Sequence, residues 1–210
     1  QAMREGAVGL STGLIYVPGT YSKTDEVIGL AKAAAKYRGV YVSHIRNEAE
    51  KVKEAIDEAV NIGRMAGIPV QISHFKVTYK PNFGKSTMTL AMIEKARADG
   101  IDVTIDQYPY IASATSLNTQ LPTWAFSGGR DSLLIRLQNA ALRTRIKNDM
   151  LALLKKDMNL NYSFAVVANY KVDTSLNGKS ITEINKLKKR KPLAADEAET
   201  ILEMVEQESV

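Results

Sequence analysis

The sequence predicts an α/β fold: a partial barrel of the (β/α)8 kind, with about four to five parallel strands and their helices, followed by a C-terminal helical region. Three observations carry this. Apolar strand-like runs alternate with helical patterns through the first 110 residues. Glycines at Gly39, Gly67 and Asp99-Gly100 close three helical patterns just before an apolar run. Tyr-Val-Ser-His-Ile-Arg (41–46) and Gln-Ile-Ser-His-Phe-Lys (71–76) repeat one local pattern thirty residues apart, about the length of one strand-helix unit. Four consecutive strands without a long break fit half a barrel better than half of a doubly wound sheet.

Each element follows from local chemistry. Ala7 to Tyr16 is the first strand candidate, and Val17-Pro18-Gly19-Thr20 is a turn. Thr24-Asp25-Glu26 opens a helix with capping residues, which runs to Tyr37. Val40 to Ile45 is the second strand. Ala49 to Ala66 is a helix whose apolar positions Val52, Ala55, Ile56, Ala59, Val60, Ile62 and Gly63 keep helical spacing. Pro69 to Phe75 is the third strand, Thr87 to Ala98 its helix, and Ile101 to Tyr108 the fourth strand. After Tyr110 the texture changes. Ile111 to Gln120 reads as a loop, Arg130 to Lys156 as one long helix, Ser163 to Ala168 as a fifth strand, and Ile181 to Lys189 and Ala195 to Glu206 as helices. No Gly-rich or Pro-rich linker interrupts residues 1–210, so the chain reads as a single region: strand-helix repeats over 1–110, then loop, insertion and helices over 111–210.

Composition narrows the functional classes. Hydrophobic residues at 45% and charged residues at 24% are those of a globular domain. The net charge of +5 is mild, and no nucleic-acid partner is expected. The basic run Lys186-Leu187-Lys188-Lys189-Arg190-Lys191 suits the C-terminal end of a helix, where cations complement the dipole, ahead of Pro192. There are no cysteines, so disulfides and thiolate metal sites are excluded within the chain. No apolar stretch approaches the ~18 residues of a membrane span, and no membrane partner is expected. No signal segment opens the chain, yet Gln1-Ala2-Met3 looks like the middle of a helix and the end coincides with a helix end. Both ends read as cuts in a longer protein. A cytoplasmic location is the expectation.

The chemistry concentrates at the expected C-terminal ends of the strands, where barrel active sites lie. Alternation along a strand puts Val42, His44 and Arg46 on one face, Ile72, His74 and Lys76 on one face, and Thr104, Asp106, Tyr108 and Tyr110 on one face. A lone histidine is most often a satisfied core or surface residue. Two in matched context on neighbouring strands, about 4.8 Å apart, could reach one metal ion. Two histidines do not complete a site, because catalytic zinc usually takes three protein ligands. Arg46 and Lys76 could anchor a carboxylate or phosphate, or be rim charges paired with Glu48 or Asp106. Asp106 could be a base or ligand, or the structural partner of a cation or backbone N–H. Tyr108 could donate to a developing oxyanion or be a wall residue. Phe83-Gly84-Lys85-Ser86-Thr87 imitates the end of a phosphate-binding loop, but Tyr79 stands where that motif needs a glycine.

Several stretches together resemble the N-acyl-D-amino-acid deacylases, or D-aminoacylases, of the amidohydrolase superfamily. They are Glu5-Gly6-Ala7-Val8-Gly9-Leu10-Ser11-Thr12-Gly13-Leu14-Ile15-Tyr16, Ser43-His44-Ile45-Arg46, Gly67-Ile68-Pro69-Val70-Gln71-Ile72-Ser73-His74-Phe75-Lys76, and Asp106-Gln107-Tyr108-Pro109-Tyr110 with Ala112-Ser113. The likeness is close from Ala2 to Trp124 and looser afterwards. It implies a distorted βα barrel with zinc at the strand ends, acting on the amide of N-acyl-D-amino acids. It implies that His44 and His74 bind zinc on the fifth and sixth barrel strands and that Lys76 and Tyr108 contact substrate. Arg46 belongs to the same motif and joins the substrate-binding candidates. The family's first-strand His-x-His pair, its bridging cysteine and the aspartate of its last strand, which accepts a proton from the attacking water, are missing here. The expectation is an internal fragment of a zinc-dependent amidohydrolase with an incomplete zinc site and no catalytic residue of its own, inactive alone. Two other readings stand beside it. One is a non-catalytic barrel remnant that forms a homo-oligomer through exposed barrel edges. The other is a metal-free barrel enzyme using Lys76 as a Schiff-base nucleophile.

Overall fold

In the computed structural model, residues 1–208 are described. The chain divides into two compact units, Gln1–Tyr110 and a second beginning at Ile111. The boundary falls where the sequence texture changes.

The first unit alternates strand and helix: β1 (Gly9–Gly13), α1 (Thr24–Ala35), β2 (Val40–His44), α2 (Val52–Ala66), β3 (Val70–Ile72), α3 (Ser86–Ala98) and β4 (Val103–Ile105). The four strands form one sheet in the order β1-β2-β3-β4, and every neighbouring pair is parallel. The predicted α/β class with four consecutive parallel strands is what the structure has. The strands are shorter than their apolar runs. Pro69 to Phe75 contributes only three ladder residues and Ile101 to Tyr108 only three, because the chain peels away from the ladder toward the strand-end loops.

The helices cover one face of the sheet. All seven apolar positions expected of α2 are buried, and they pack with Tyr41, Val70, Ile72, Ile93 and Val103 in one core. Each large aliphatic side chain buried this way contributes about 1.5–3 kcal/mol. Gly67 takes φ 63 and closes α2, its N–H bonding to Gly63 O. Gly39 acts differently from expectation. Arg38 takes the left-handed φ of 56, while a Cβ on Gly39 would stand 2.9 Å from the Met3 methyl and 3.2 Å from Gly9 Cα. Gly39 is there for close approach, not for the turn. The expected Thr24 cap is also absent: Lys23 is the N-cap of α1 without a side-chain bond, and the Thr24 hydroxyl donates to Glu58 instead.

The second unit is helical: α4 (Gly129–Gln138), α5 (Ala140–Lys156), α6 (Ile181–Leu187) and α7 (Ala194–Glu208). The single helix expected over Arg130 to Lys156 is two. Asn139 leaves helical geometry with ψ 115, and its side chain accepts the Leu142 N–H to cap α5. The expected fifth strand at Ser163 to Ala168 is one isolated antiparallel bridge between Val166 and Ser180, since no second extended segment runs beside it. Ser180 and Glu183 form a reciprocal capping box on α6. Within the basic run, Lys188 and Arg190 both pair with Glu203, at 3.0 and 2.8 Å. Among the described residues, no helix is long and apolar enough to cross a membrane.

Candidate metal centre

The site lies at the C-terminal ends of β2 and β3. His44 is the last residue of β2, and His74 follows β3 by two residues. Their rings meet edge to face with centroids 4.4 Å apart. Tyr16, from the segment after β1, leans on His44 at 4.8 Å.

Simple alternation does not account for this meeting. The ladder pairs Val42 with Gln71 and Ser43 with Ile72, and paired residues share a face. Ile72 therefore lies with Ser43 on the helix-covered face, fully buried, opposite to His44. A regular strand would send His74 the same way as Ile72. Instead the strand ends at Ile72, and His74 adopts φ 42, which brings its ring onto His44. Left-handed backbone is uncommon in a non-glycine residue, so something must hold it. Asp106 does: its Oδ1 accepts the His74 N–H at 2.5 Å and its Oδ2 accepts from Gln71 Nε2 at 2.7 Å. Both carboxylate oxygens serve the turn, so Asp106 is the structural partner of a backbone N–H.

Glu48, in the irregular segment between β2 and α2, completes the cluster. It is 7% exposed. Thr78 fixes its backbone, donating from N–H and hydroxyl to Glu48 O at 2.7 and 3.1 Å. Its Oε1 lies 3.0 Å from His74 Nδ1 and 3.8 Å from His44 Nε2. One ligand atom from each of His44, Glu48 and His74 lies within 4.8 Å of the others. His44 Nε2 is buried and has no hydrogen-bond partner. An orphaned imidazole nitrogen beside a carboxylate and a second imidazole suits a bound cation, and two histidines with one carboxylate form a ligand set that holds catalytic zinc. Burial first, and then the electrostatic influence of the neighbouring His74 and Lys76, push the His44 pKa down to about 4. That keeps the imidazole neutral, the form that ligates.

Lys76 reaches the same cluster. Its Nζ donates to Glu48 Oε1 at 2.7 Å and to the His74 carbonyl at 3.1 Å, and lies 2.9 Å from His74 Nδ1. It also stands 5.6 Å from the centre of the Tyr108 ring, which stacks on Tyr110 at 6.3 Å. His44, His74, Lys76 and Tyr108 are thus brought together. Arg46 is not. Its guanidinium bonds Glu58 through Nε and Nη2, both at 2.9 Å, and the carbonyls of Thr20 and Ser22 at 3.0 and 3.1 Å. It fastens the segment after β1 to α2 through these four bonds, apart from the histidine pair. Burial works to raise the Glu58 pKa, but the hydrogen bonds from Arg46 and Thr24 outweigh it and hold the carboxyl below its usual range.

Sequence reasoning missed Glu48 as a ligand candidate. Its one signal is a position four residues after His44, and an acid at that spacing is common. It also missed Tyr16, which reads as the end of the first strand and carries no mark of its ring contact with His44.

A parallel α/β sheet with a histidine-carboxylate cluster at its strand ends has the placement of a barrel active site. No protein-family profile matches the chain. Individual proteins do, and they are D-aminoacylases and related deacylases. The chain is 47% identical over 116 residues to N-acyl-D-glutamate deacylase of Alcaligenes xylosoxydans xylosoxydans, a match covering 55% of this chain and 24% of that protein. It is 44% identical over 117 residues to the D-aminoacylase of the same organism, covering 56% and 24%. In three dimensions it matches a D-aminoacylase studied for the role of its binuclear metal centre, with TM-score 0.67, 29% identity, and 97% of this chain on 34% of that one. It also matches the N-acyl-D-glutamate deacylase of Bordetella bronchiseptica, solved with zinc and a phosphonate mimic of the tetrahedral intermediate, with TM-score 0.63, 29% identity, and 93% on 33%. The resemblance to the N-acyl-D-amino-acid deacylases holds in sequence and in fold. The matched region spans about a quarter of the length of these curated relatives.

Proposed function

We propose that this chain is part of a zinc-dependent amidohydrolase that cleaves the amide bond of N-acyl-D-amino acids, with His44 and His74 as metal ligands and Lys76 and Tyr108 as substrate contacts. The observation that carries it is the pair of touching imidazoles, one with an orphaned nitrogen, beside a buried carboxylate, in a chain 47% identical over 116 residues to a deacylase of this kind. When bound, the metal would act as a Lewis acid on the amide carbonyl and favour ionisation of the attacking water. Lys76 supplies a cation for the free carboxylate that every N-acyl amino acid carries. The Tyr108 hydroxyl supplies a donor for the carbonyl oxygen as charge builds there. Within this chain Asp106 is spent on the His74 turn, and the resemblance to the deacylases implies that the base that takes the proton from water belongs to another part of a complete barrel.

The test uses the full-length protein and the 210-residue chain side by side, on N-acetyl-D-glutamate, N-acetyl-D-leucine and their L-enantiomers. The full-length protein is expected to hydrolyse D-substrates in a metal-dependent way that His74→Ala abolishes. The 210-residue chain is expected to show no hydrolysis above its own His74→Ala control. A full-length protein inactive on all N-acyl-D-amino acids would overturn the proposed activity. Hydrolysis by the short chain would mean that its own residues supply the base.

A further inference from the structure

We propose that Arg46 is a positioning residue: by clamping the segment after β1 onto α2, it holds the Tyr16 ring against His44 and so sets the wall of the site on its β1 side. The inference rests on the reading of His44 as part of the site and adds a residue that acts on it from outside.

The path runs through Thr20. Its N–H donates to Tyr16 O at 2.7 Å, and its carbonyl accepts from Arg46 Nη1 at 3.0 Å. The Tyr16 N–H donates to Gly13 O at 3.1 Å. The Tyr16 backbone is therefore fixed twice, once by β1 and once by the residue that Arg46 holds. Arg46 Nη2 also bonds the Ser22 carbonyl at 3.1 Å, and the Ser22 N–H returns to Gly19 O at 3.1 Å. At its other end the guanidinium is seated on Glu58 of α2, whose carboxylate also accepts from the Thr24 hydroxyl. The Tyr16 ring lies across Gly13, the ladder partner of His44: a Cβ on Gly13 would stand 3.0 Å from Tyr16 Cδ2. From there it meets the His44 ring at 4.8 Å, tilted by 59°. Tyr16 is 41% exposed, so neighbouring side chains do not enclose it, and its place depends on its backbone.

An ion pair that only stabilises the chain would explain the contact between Arg46 and Glu58. It leaves unexplained two further bonds to backbone carbonyls of a segment outside the strands and α-helices. A planar guanidinium carries donors on three nitrogens and can span a carboxylate and two carbonyls at once, whereas an ammonium donates from a single point. Each link from Glu58 to His44 is a hydrogen bond, a covalent stretch of backbone or a ring contact, which is the contiguous network that coupling between separated groups uses. Releasing the segment would let the Tyr16 ring leave His44 and open that side of the site to water.

The test is proton NMR of the 210-residue chain at pH 8. The chain has two histidines, so their carbon-bound ring protons are few and separable, and an aromatic ring 4.8 Å away shifts those of His44. Tyr16→Leu measures that shift by removing it. Arg46→Gln should lose at least half of the same shift, and the Thr20 N–H should exchange at least tenfold faster as the segment opens locally. Arg46→Lys keeps a cation for Glu58 without the clamp on the carbonyls. It should keep most of the native resistance to urea and still lose the shift, which a purely stabilising ion pair would not do. In the Tyr16→Leu background, Arg46→Lys should move the His44 protons no further, because the two changes act on one contact. Circular dichroism checks folding, and if Arg46→Gln does not fold, Arg46→Lys decides. Native His44 resonances in the folded Arg46 variants would overturn the inference, and so would a Tyr16→Leu chain whose His44 signals stay in place. Neither result depends on metal or on hydrolysis. The inference can therefore fail while the proposed function stands, and an inactive full-length protein would remove the proposed function while leaving the Arg46 clamp.

Discussion

At the scale of single residues, the site depends on one unusual backbone conformation and one buried imidazole. His74 reaches His44 only because its φ is 42 and Asp106 accepts its N–H. Nothing in Gln71-Ile72-Ser73-His74 announces this. The partner that holds the turn lies thirty-two residues later, and plain alternation puts His74 with Ile72, on the wrong face. The matched histidine segments make the pair legible, but the turn that joins them is not. Asp106→Ala should therefore cost about 1.5–3 kcal/mol in urea unfolding, the range for hydrogen bonds to a charged group, and should also weaken Co²⁺ binding, because the His74 ring loses its support. An Asp106→Ala chain with native stability would remove the carboxylate from this role. His44 gives a pH dependence with a definite sign. Its folded pKa is pushed from 6.5 down to about 4, so between those values the unfolded chain binds more protons than the folded one. This contribution is nil above pH 6.5. It lowers stability progressively as the pH falls toward 4. Denaturant unfolding of the metal-free chain between pH 7.5 and 4.5 should show that loss, and His44→Gln should flatten it.

At the scale of elements, the legible parts are those set by local periodicity. All seven expected apolar positions of α2 are buried because a 3.6-residue repeat needs no distant information. The strands are shorter than their apolar runs because such a run continues past the last ladder bond, and only the neighbouring strand decides where pairing stops. The break at Asn139 lies inside a continuous helical pattern and depends on a side-chain cap that competes with helix propagation. Arg46 shows the same limit on the functional side. Its motif suggests substrate, while its bidentate bond to Glu58 and its bonds to the Thr20 and Ser22 carbonyls join α2 to the segment after β1. With Glu58 12% and Arg46 29% exposed, solvent screens this pair only in part. Glu58→Gln should destabilise the chain by about 1.5–3 kcal/mol at pH 7, the range for a charged hydrogen bond. The Glu58 pKa is depressed by folding, so its contribution is complete above the ordinary carboxylate value of 4.5 and is lost as the pH falls below that. Chemical denaturation of native and Glu58→Gln chains should therefore differ at pH 7, and the difference should shrink as the pH falls below 4.5. A difference that persisted at acid pH would mean the substitution acts through packing instead.

At the scale of the whole molecule, the sheet of the first unit has two outer strands, β1 and β4, each with one side unpaired among the described residues. Open strand edges invite pairing with another chain. The inner side of β1 is identified by its bonds: Val8 O accepts from Val40 and the Leu14 N–H donates to His44 O. Strand backbone groups alternate sides, so Ser11, an odd number of residues from both, points its N–H outward, and its side chain is exposed. Proline is tolerated at such a position on an edge strand and removes the outward donor. Sedimentation velocity on the 210-residue chain should therefore show association rising with concentration, and Ser11→Pro should shift the distribution toward monomer with an unchanged circular dichroism spectrum. Association that Ser11→Pro leaves untouched would place the contact elsewhere on the chain. A monomer at every concentration would mean that the edges are protected, and the oligomer expected from the half barrel would be discarded.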